Sequence, residues 1–204
     1  RYLQDTADKL GLSLAAVSPA FVNLSAATKG TALEGKATRD IFEAVSLAMA
    51  KLGKSSADTQ GALLAIEQMV SKGVVSAEEL RGQLGERLPG AFKLAAQAMG
   101  VTEQELGKML EKGEILATDL LPRLAQGLNK TYNDGKEVSG LEPGWNKLGN
   151  AIDRAWVSTD KLTNATGFLI GAMRIAAGIF ESYANTLEAI SNYNAGLGFR
   201  TFAD

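Results

Sequence analysis

Twenty-two glycines divide the 204 residues so that no Gly-free run exceeds 18. Glycine weakens a helix interior by roughly 1 kcal/mol relative to Ala, and 18 residues of helix reach only ~27 Å. A chain punctuated this way cannot build a long rod and must pack short elements. Apolar residues return every three or four positions, as in Ile41, Val45, Ala48 and Leu52 and again in Leu63, Ile66, Met69 and Val70. That spacing is helical. Sustained period-two alternation is hard to find, so the expected class is all-α.

Stop and start signals place the helices. Lys51-Leu52-Gly53, Lys72-Gly73, Met99-Gly100 and Lys112-Gly113 each put Gly at the C′ position, and three of them carry Lys in the last turn. A left-handed glycine closes a helix, and a cation there favours its dipole. Ser76 to Glu79 and Thr102 to Glu105 fit the capping box, with Ser55 to Asp58 as a weaker version. Pro89 after Leu88, and Pro19 after Ser18, are expected in the first turn of new helices. These signals predict short helices near 2–10, 19–29, 37–52, 56–72, 77–87, 90–99, 103–112 and 118–132. A turn at Asn133-Asp134-Gly135 then leads to longer helices near 143–157 and 160–193. The expected organisation is a compact helical module over 1–132, a linker over 133–142, and amphipathic or apolar C-terminal helices over 143–204. Val75 to Leu80 echoes Val101 to Leu106 and, in looser form, the stretch ending at Leu120, but the two offsets disagree, so no repeat array follows. Arg at position 1 predicts an excerpt from a longer polypeptide.

Composition then removes function classes. The chain has no Cys and no His. Thiolate nucleophiles, zinc–sulfur sites and histidine-based triads are excluded. Lys plus Arg is 21 against 23 for Asp plus Glu, with no basic block of the kind that binds duplex phosphates, so no specific nucleic-acid site is expected. Glu78, Glu79 and Glu86 lie close in sequence, but Glu79 is accounted for by the capping box and Glu86-Arg87 reads as a solvated face. Gly82-Gln-Leu-Gly85 lacks the preceding strand and following Lys-Ser/Thr of a phosphate loop. Its glycines are expected to allow close packing and a chain reversal before Pro89. No enzyme and no cofactor are expected.

Two segments are candidates for interaction. Trp145, Leu148, Ile152 and Trp156 share one face of an amphipathic helix whose other face carries Asn146, Lys147, Asn150, Asp153 and Arg154. Both indoles read as packing anchors, with a partner surface as the alternative. Residues 165–180 contain a single charge, Arg174, and Gly167 and Gly171 form a small-xxx-small pair that allows close helix approach. The apolar run of 13 residues from Phe168 to Phe180 falls short of the ~20 needed to span a bilayer. Self-association or docking on a partner stands beside a buried core helix as its reading.

The stretch from Gly61 to Gly73 and from Val75 to Ala91 closely resembles the conserved module of phage tail tape measure proteins. The match continues through Ala98 to Thr102, Glu105-Leu106 and Lys108 to Ile115. Leu10 to Ser13, Ala27 to Thr31 and Leu121-Pro122 also fit, so the resemblance covers roughly residues 5–160. Its structural signature here is Gly73, Ser76, Glu79, Leu80, Gly85, Leu88, Pro89, Gly90, Gly100, Thr102, Glu105 and Gly113. The resemblance implies a non-enzymatic virion component in the lumen of the tail tube, present in the host cytoplasm during assembly. It implies tail length determination, exit ahead of the DNA at ejection, and tail tube protein, tail-tip or hub proteins, tail-assembly chaperones and further copies of itself as partners. A ruler spanning ~1000 Å at ~1.5 Å per residue takes on the order of 700 helical residues. This segment is accordingly expected to be a folded module rather than a length of the tape. The alternative is a helical adaptor or membrane-interacting effector acting through residues 165–180; a carboxylate-based hydrolase is a third class.

Overall fold

A computed structural model describes residues 1–157, 173, 174, 176–181, 184 and 188, and side-chain surroundings are described for all of these except 141 and 155–157. The described residues are helical apart from turns and one isolated antiparallel bridge. The all-α expectation holds. Helices α1 (Tyr2–Leu10), α2 (Leu14–Thr28), α3 (Lys36–Lys51) and α4 (Ser56–Lys72) come first. A π-helix (Glu78–Leu84) runs into a single turn, α5 (Gly85–Arg87). Then follow α6 (Ala91–Met99), α7 (Glu103–Glu111), α8 (Ala117–Tyr132) and α9 (Leu141–Val157). The chain divides into two compact units, Arg1–Glu137 and Val138–Asp204.

In the first unit α2 packs on α4, α3 on both α8 and α4, α6 on α8, and the π-helix on α4. Phe42 of α3 is fully buried and meets Phe21 of α2 edge-on, with ring centroids 5.0 Å apart and planes at 70°. Such T-shaped pairs add to the area they bury. Lys51, at the end of α3, reaches Asp134 at 2.5 Å and the carbonyl of Lys136 at 2.7 Å, fastening the turn after α8 to α3.

Caps set most boundaries. Thr102 and Glu105 form a complete capping box, and so do Ser55 and Asp58, the weaker pair on sequence grounds. Gly53, Gly73, Gly100 and Gly113 all have φ between 66° and 74°. At Gly73 a Cβ would meet no atom within 4 Å, so the left-handed backbone alone demands glycine there. Gly73→Ala is expected to lower stability by about 1 kcal/mol. Gly127, inside α8 and equally unobstructed, should instead gain about 0.5–1 kcal/mol as Ala. Paired urea titrations of the two variants would show the opposite signs.

Three local expectations fail. Helix α2 starts at Leu14, five residues early, because Ser13 caps it by accepting from the Ala16 amide. Pro19 thus lies inside α2 rather than in its first turn. It is tolerated because the carbonyl it leaves without an amide partner belongs to exposed Ala15. Pro89 likewise does not open a helix. It sits in the turn between α5 and α6, and Gly90, at φ 85°, turns the chain into Ala91. The third failure, at Ser76 and Glu79, belongs to the site below.

Candidate functional site

The signature residues between Gly73 and Gly90 surround the π-helix. The Gly85 amide donates to the carbonyl of Leu80, five residues back, which widens the turn. A Cβ on Gly85 would lie 3.3 Å from that same oxygen, so a side chain there would press on the widened turn. Gly82, in contrast, faces open space, so close packing explains Gly85 and not Gly82. Leu80 and Leu88 are fully buried on either side.

Glu79 is the buried carboxylate of this segment, with no exposed surface. The sequence assigns it to a capping box with Ser76, but the π-helix has no side-chain cap. The Ser76 hydroxyl instead donates to the Glu79 carboxylate, and the Lys72 ammonium, from the last turn of α4, binds its other oxygen. Burial pushes the Glu79 carboxyl up, but Lys72 and Ser76 outweigh it and hold the group below the usual Glu range. The same contact raises Lys72. The end of α4 and the π-helix, separated by residues 73–77, are thereby locked by a charge-assisted contact. The spacing of Lys72 to Glu79 was readable, but not that the carboxylate would turn inward.

Two arginines flank the lock. The Arg81 guanidinium lies 4.1 Å from the centre of the Phe92 ring on α6, a cation–π distance. Arg87 is half-buried rather than solvated: it donates to the carbonyl of Gln83 at 2.9 Å and lies across Gly61 of α4, where a Cβ would displace it. Beside Gly61 a groove of about 270 Å³ runs between α2 and α4, lined by Ala20, Asn23, Leu64 and Glu67 among others.

In the second unit the amphipathic face of α9 behaves unlike the expectation. Trp145 is 56% exposed and Ile152 is 37% exposed, while Asn150 of the polar face is 2% exposed. Trp145 is therefore not a packing anchor. The opposite side of α9 carries the buried Asn150, while Ile179 sits against Gly144, one turn before half-buried Leu148 at the edge of the apolar stripe. The Trp156 side chain, Gly167 and Gly171 lie outside the described residues; Arg174 is exposed. Among the described residues no three His, Cys, Asp or Glu side chains are grouped to hold a metal ion. No described helix is long and apolar enough to cross a membrane.

Short capped helices, a side-chain lock at a widened turn and outward apolar faces define a helical packing module. A family model described as tape measure protein matches residues 1–161. The chain is 37% identical over 135 residues to a protein of Salmonella phage Felix O1 named "Probable tape measure protein". That alignment spans 66% of this chain and 18% of the phage protein. No solved structure matches the chain. The chain belongs to the tape measure protein family, whose members are structural components of phage tails.

Proposed function

We propose that residues 1–132 form a folded, non-enzymatic module of a phage tail tape measure protein, joined through residues 133–142 to C-terminal interaction helices. In this reading the parent chain lies in the tail tube lumen, takes part in length determination and leaves at DNA ejection. During assembly in the host cytoplasm the module contacts tail tube, tail-tip or hub proteins and tail-assembly chaperones through helix faces, and further copies of itself. The observation that carries the reading is helix length. The longest helices among the described residues, α4 and α9, have 17 residues each, or ~26 Å apiece. The helices of the first unit are folded on one another through a buried core, so contour length is not converted into reach.

An in-frame duplication of residues 1–132 in the parent gene tests this by electron microscopy of tails. A compact module of this size adds at most ~40 Å to a tail, from the radius expected of a globular domain. Lengthening by ~200 Å, the reach of the same residues as one helix, would overturn the reading.

A further inference from the structure

Helix α2 is 15 residues long and carries no charged side chain. Every other helix of nine or more residues in the first unit exposes at least one: Asp5 on α1, Arg39 on α3, Asp58 on α4, Lys93 on α6, Lys108 on α7 and Arg123 on α8. Helix α2 exposes Ala15, Pro19, Val22, Asn23 and Ala26 instead. At ~100° per residue these five fall within an arc of about 100°. Asn23, at one edge of the arc, also lines the groove between α2 and α4. Val22 is 61% exposed, and Leu64, which lines the groove from α4, is 47% exposed. A contiguous uncharged surface on an otherwise charged module marks a contact.

The groove itself defines what fits. Along α4 it runs from Ala57 to Glu67, ~15 Å at 1.5 Å per residue, or about three helical turns. Ala20, Ala57 and Gly61 line it with small groups, which leaves about 270 Å³ for the anchoring side chains of a partner helix. Among the described residues Glu67 is the one charge in the lining. Its carboxylate is half-buried, accepts from the Ser71 hydroxyl at 3.1 Å and is paired with no described cation. Arg87, beside Gly61, is held by the Gln83 carbonyl. We propose that the groove receives an amphipathic helix of another protein. The apolar stripe of that helix lies along α2 and Leu64, and its Lys or Arg meets Glu67. Charge selects this occupant. An uncharged helix would bury the carboxylate without a counter-charge, and an acidic one would set like charges together. The α2 face of a second copy brings no cation, because α2 has none. The docking stands on α2 and α4 alone and does not depend on the tail reading.

Fluorescence anisotropy with a labelled helical peptide is the test. The probe has about four turns, with Leu at i, i+4 and i+7 and a Lys at each end of that stripe. Either orientation then offers Glu67 a cation. With the 204-residue chain a Kd on the order of 10–100 µM is expected. Leu64→Asp and Val22→Asp should each weaken binding at least about tenfold, and Glu67→Lys about tenfold. The same peptide with Glu in place of both Lys should bind the wild type about tenfold more weakly. It should bind the Glu67→Lys chain to within about threefold of the original pair. Far-UV circular dichroism unchanged in all variants separates this from misfolding, since Val22 and Leu64 are exposed. No saturation by about 1 mM, equal affinity for the two peptides, or full binding by Leu64→Asp would overturn the proposal. So would a dimer of the chain, read by sedimentation equilibrium, that Leu64→Asp dissolves, because it would put a second copy in the groove.

Discussion

Phe42→Ala is expected to destabilise the first unit by about 3–5 kcal/mol, the range for emptying a fully enclosed aromatic site. Phe42 has no exposed surface, and α3 meets α1, α2, α4 and α8. A cavity there is walled by separate helices whose positions are fixed elsewhere, so little of it can collapse. The edge-to-face contact with Phe21 is lost as well, and Phe21 in turn meets Tyr2 of α1 at a tilt of 48°, with ring centroids 5.5 Å apart. The consequence should reach the N-terminal helix. Urea unfolding followed by circular dichroism would show the loss, and the thermal midpoint should fall by on the order of 10 °C. Leu64→Ala is the matched control. Leu64 is largely outside the core, and its removal should change stability by no more than about 0.5 kcal/mol. Equal effects from both would contradict the packing described for α3.

Glu79→Ala is expected to cost about 2–3 kcal/mol at pH 7. Removing one partner of a buried ion pair ordinarily costs more, but Lys72 is half exposed and can rehydrate. The pH dependence has a definite sign. The folded carboxyl is held below its ordinary value by Lys72 and Ser76, so the unfolded chain binds the proton more readily. The stabilisation is therefore fully present above the unfolded value, about 4.3, and disappears as pH falls through the folded value. The difference between wild type and Glu79→Gln, which keeps the shape and removes the charge, should shrink steadily below about pH 4. A difference constant from pH 3 to pH 7 would show that the charge of Glu79 is not what locks the π-helix to α4. The groups that face it are Lys72 and Ser76, with Glu78 acting on Lys72 from outside.

The boundaries of the helices were legible where they are local decisions. Gly73 and Gly100 close α4 and α6 with left-handed backbone, and Thr102 with Glu105 opens α7, because each choice involves residues no more than four apart. The readings that failed needed tertiary knowledge. Pro19 carries the same fixed φ at N1 as inside a helix, and only the exposure of Ala15 decides that α2 can run through it. Ser76 and Glu79 have capping-box spacing, yet Lys72 waits at the end of α4 and draws the carboxylate inward, where the Gly85–Leu80 hydrogen bond has widened the turn. Amphipathicity located the Trp145 face correctly as a stripe. It could not say that Asn150 would be buried and Trp145 exposed, because burial on α9 depends on residues far from it in the chain, as Ile179 against Gly144 illustrates. Of the signature residues, Gly73, Leu80, Gly85, Leu88 and Gly90 gather around the π-helix, whereas Thr102, Glu105 and Gly113 bound α7. The signature is in this sense a record of how the chain turns.

The isolated bridge between Val74 and Leu116 has a consequence for how the module tolerates change. The Val75 amide donates to Ile115 at 2.8 Å and the Ala117 amide to Gly73 at 3.0 Å, so the end of α4 and the start of α8 are stitched together. Everything between them, the π-helix through α7, departs from and returns to one point. Such a stem fixes the ends of a detour whatever its contour, and lengthening a closed excursion costs entropy only logarithmically. Helices α2, α3, α4 and α8 form the frame from which that detour hangs. Residues exposed along α7 are accordingly where an inserted tag or a foreign peptide would be accommodated with least disturbance to the frame.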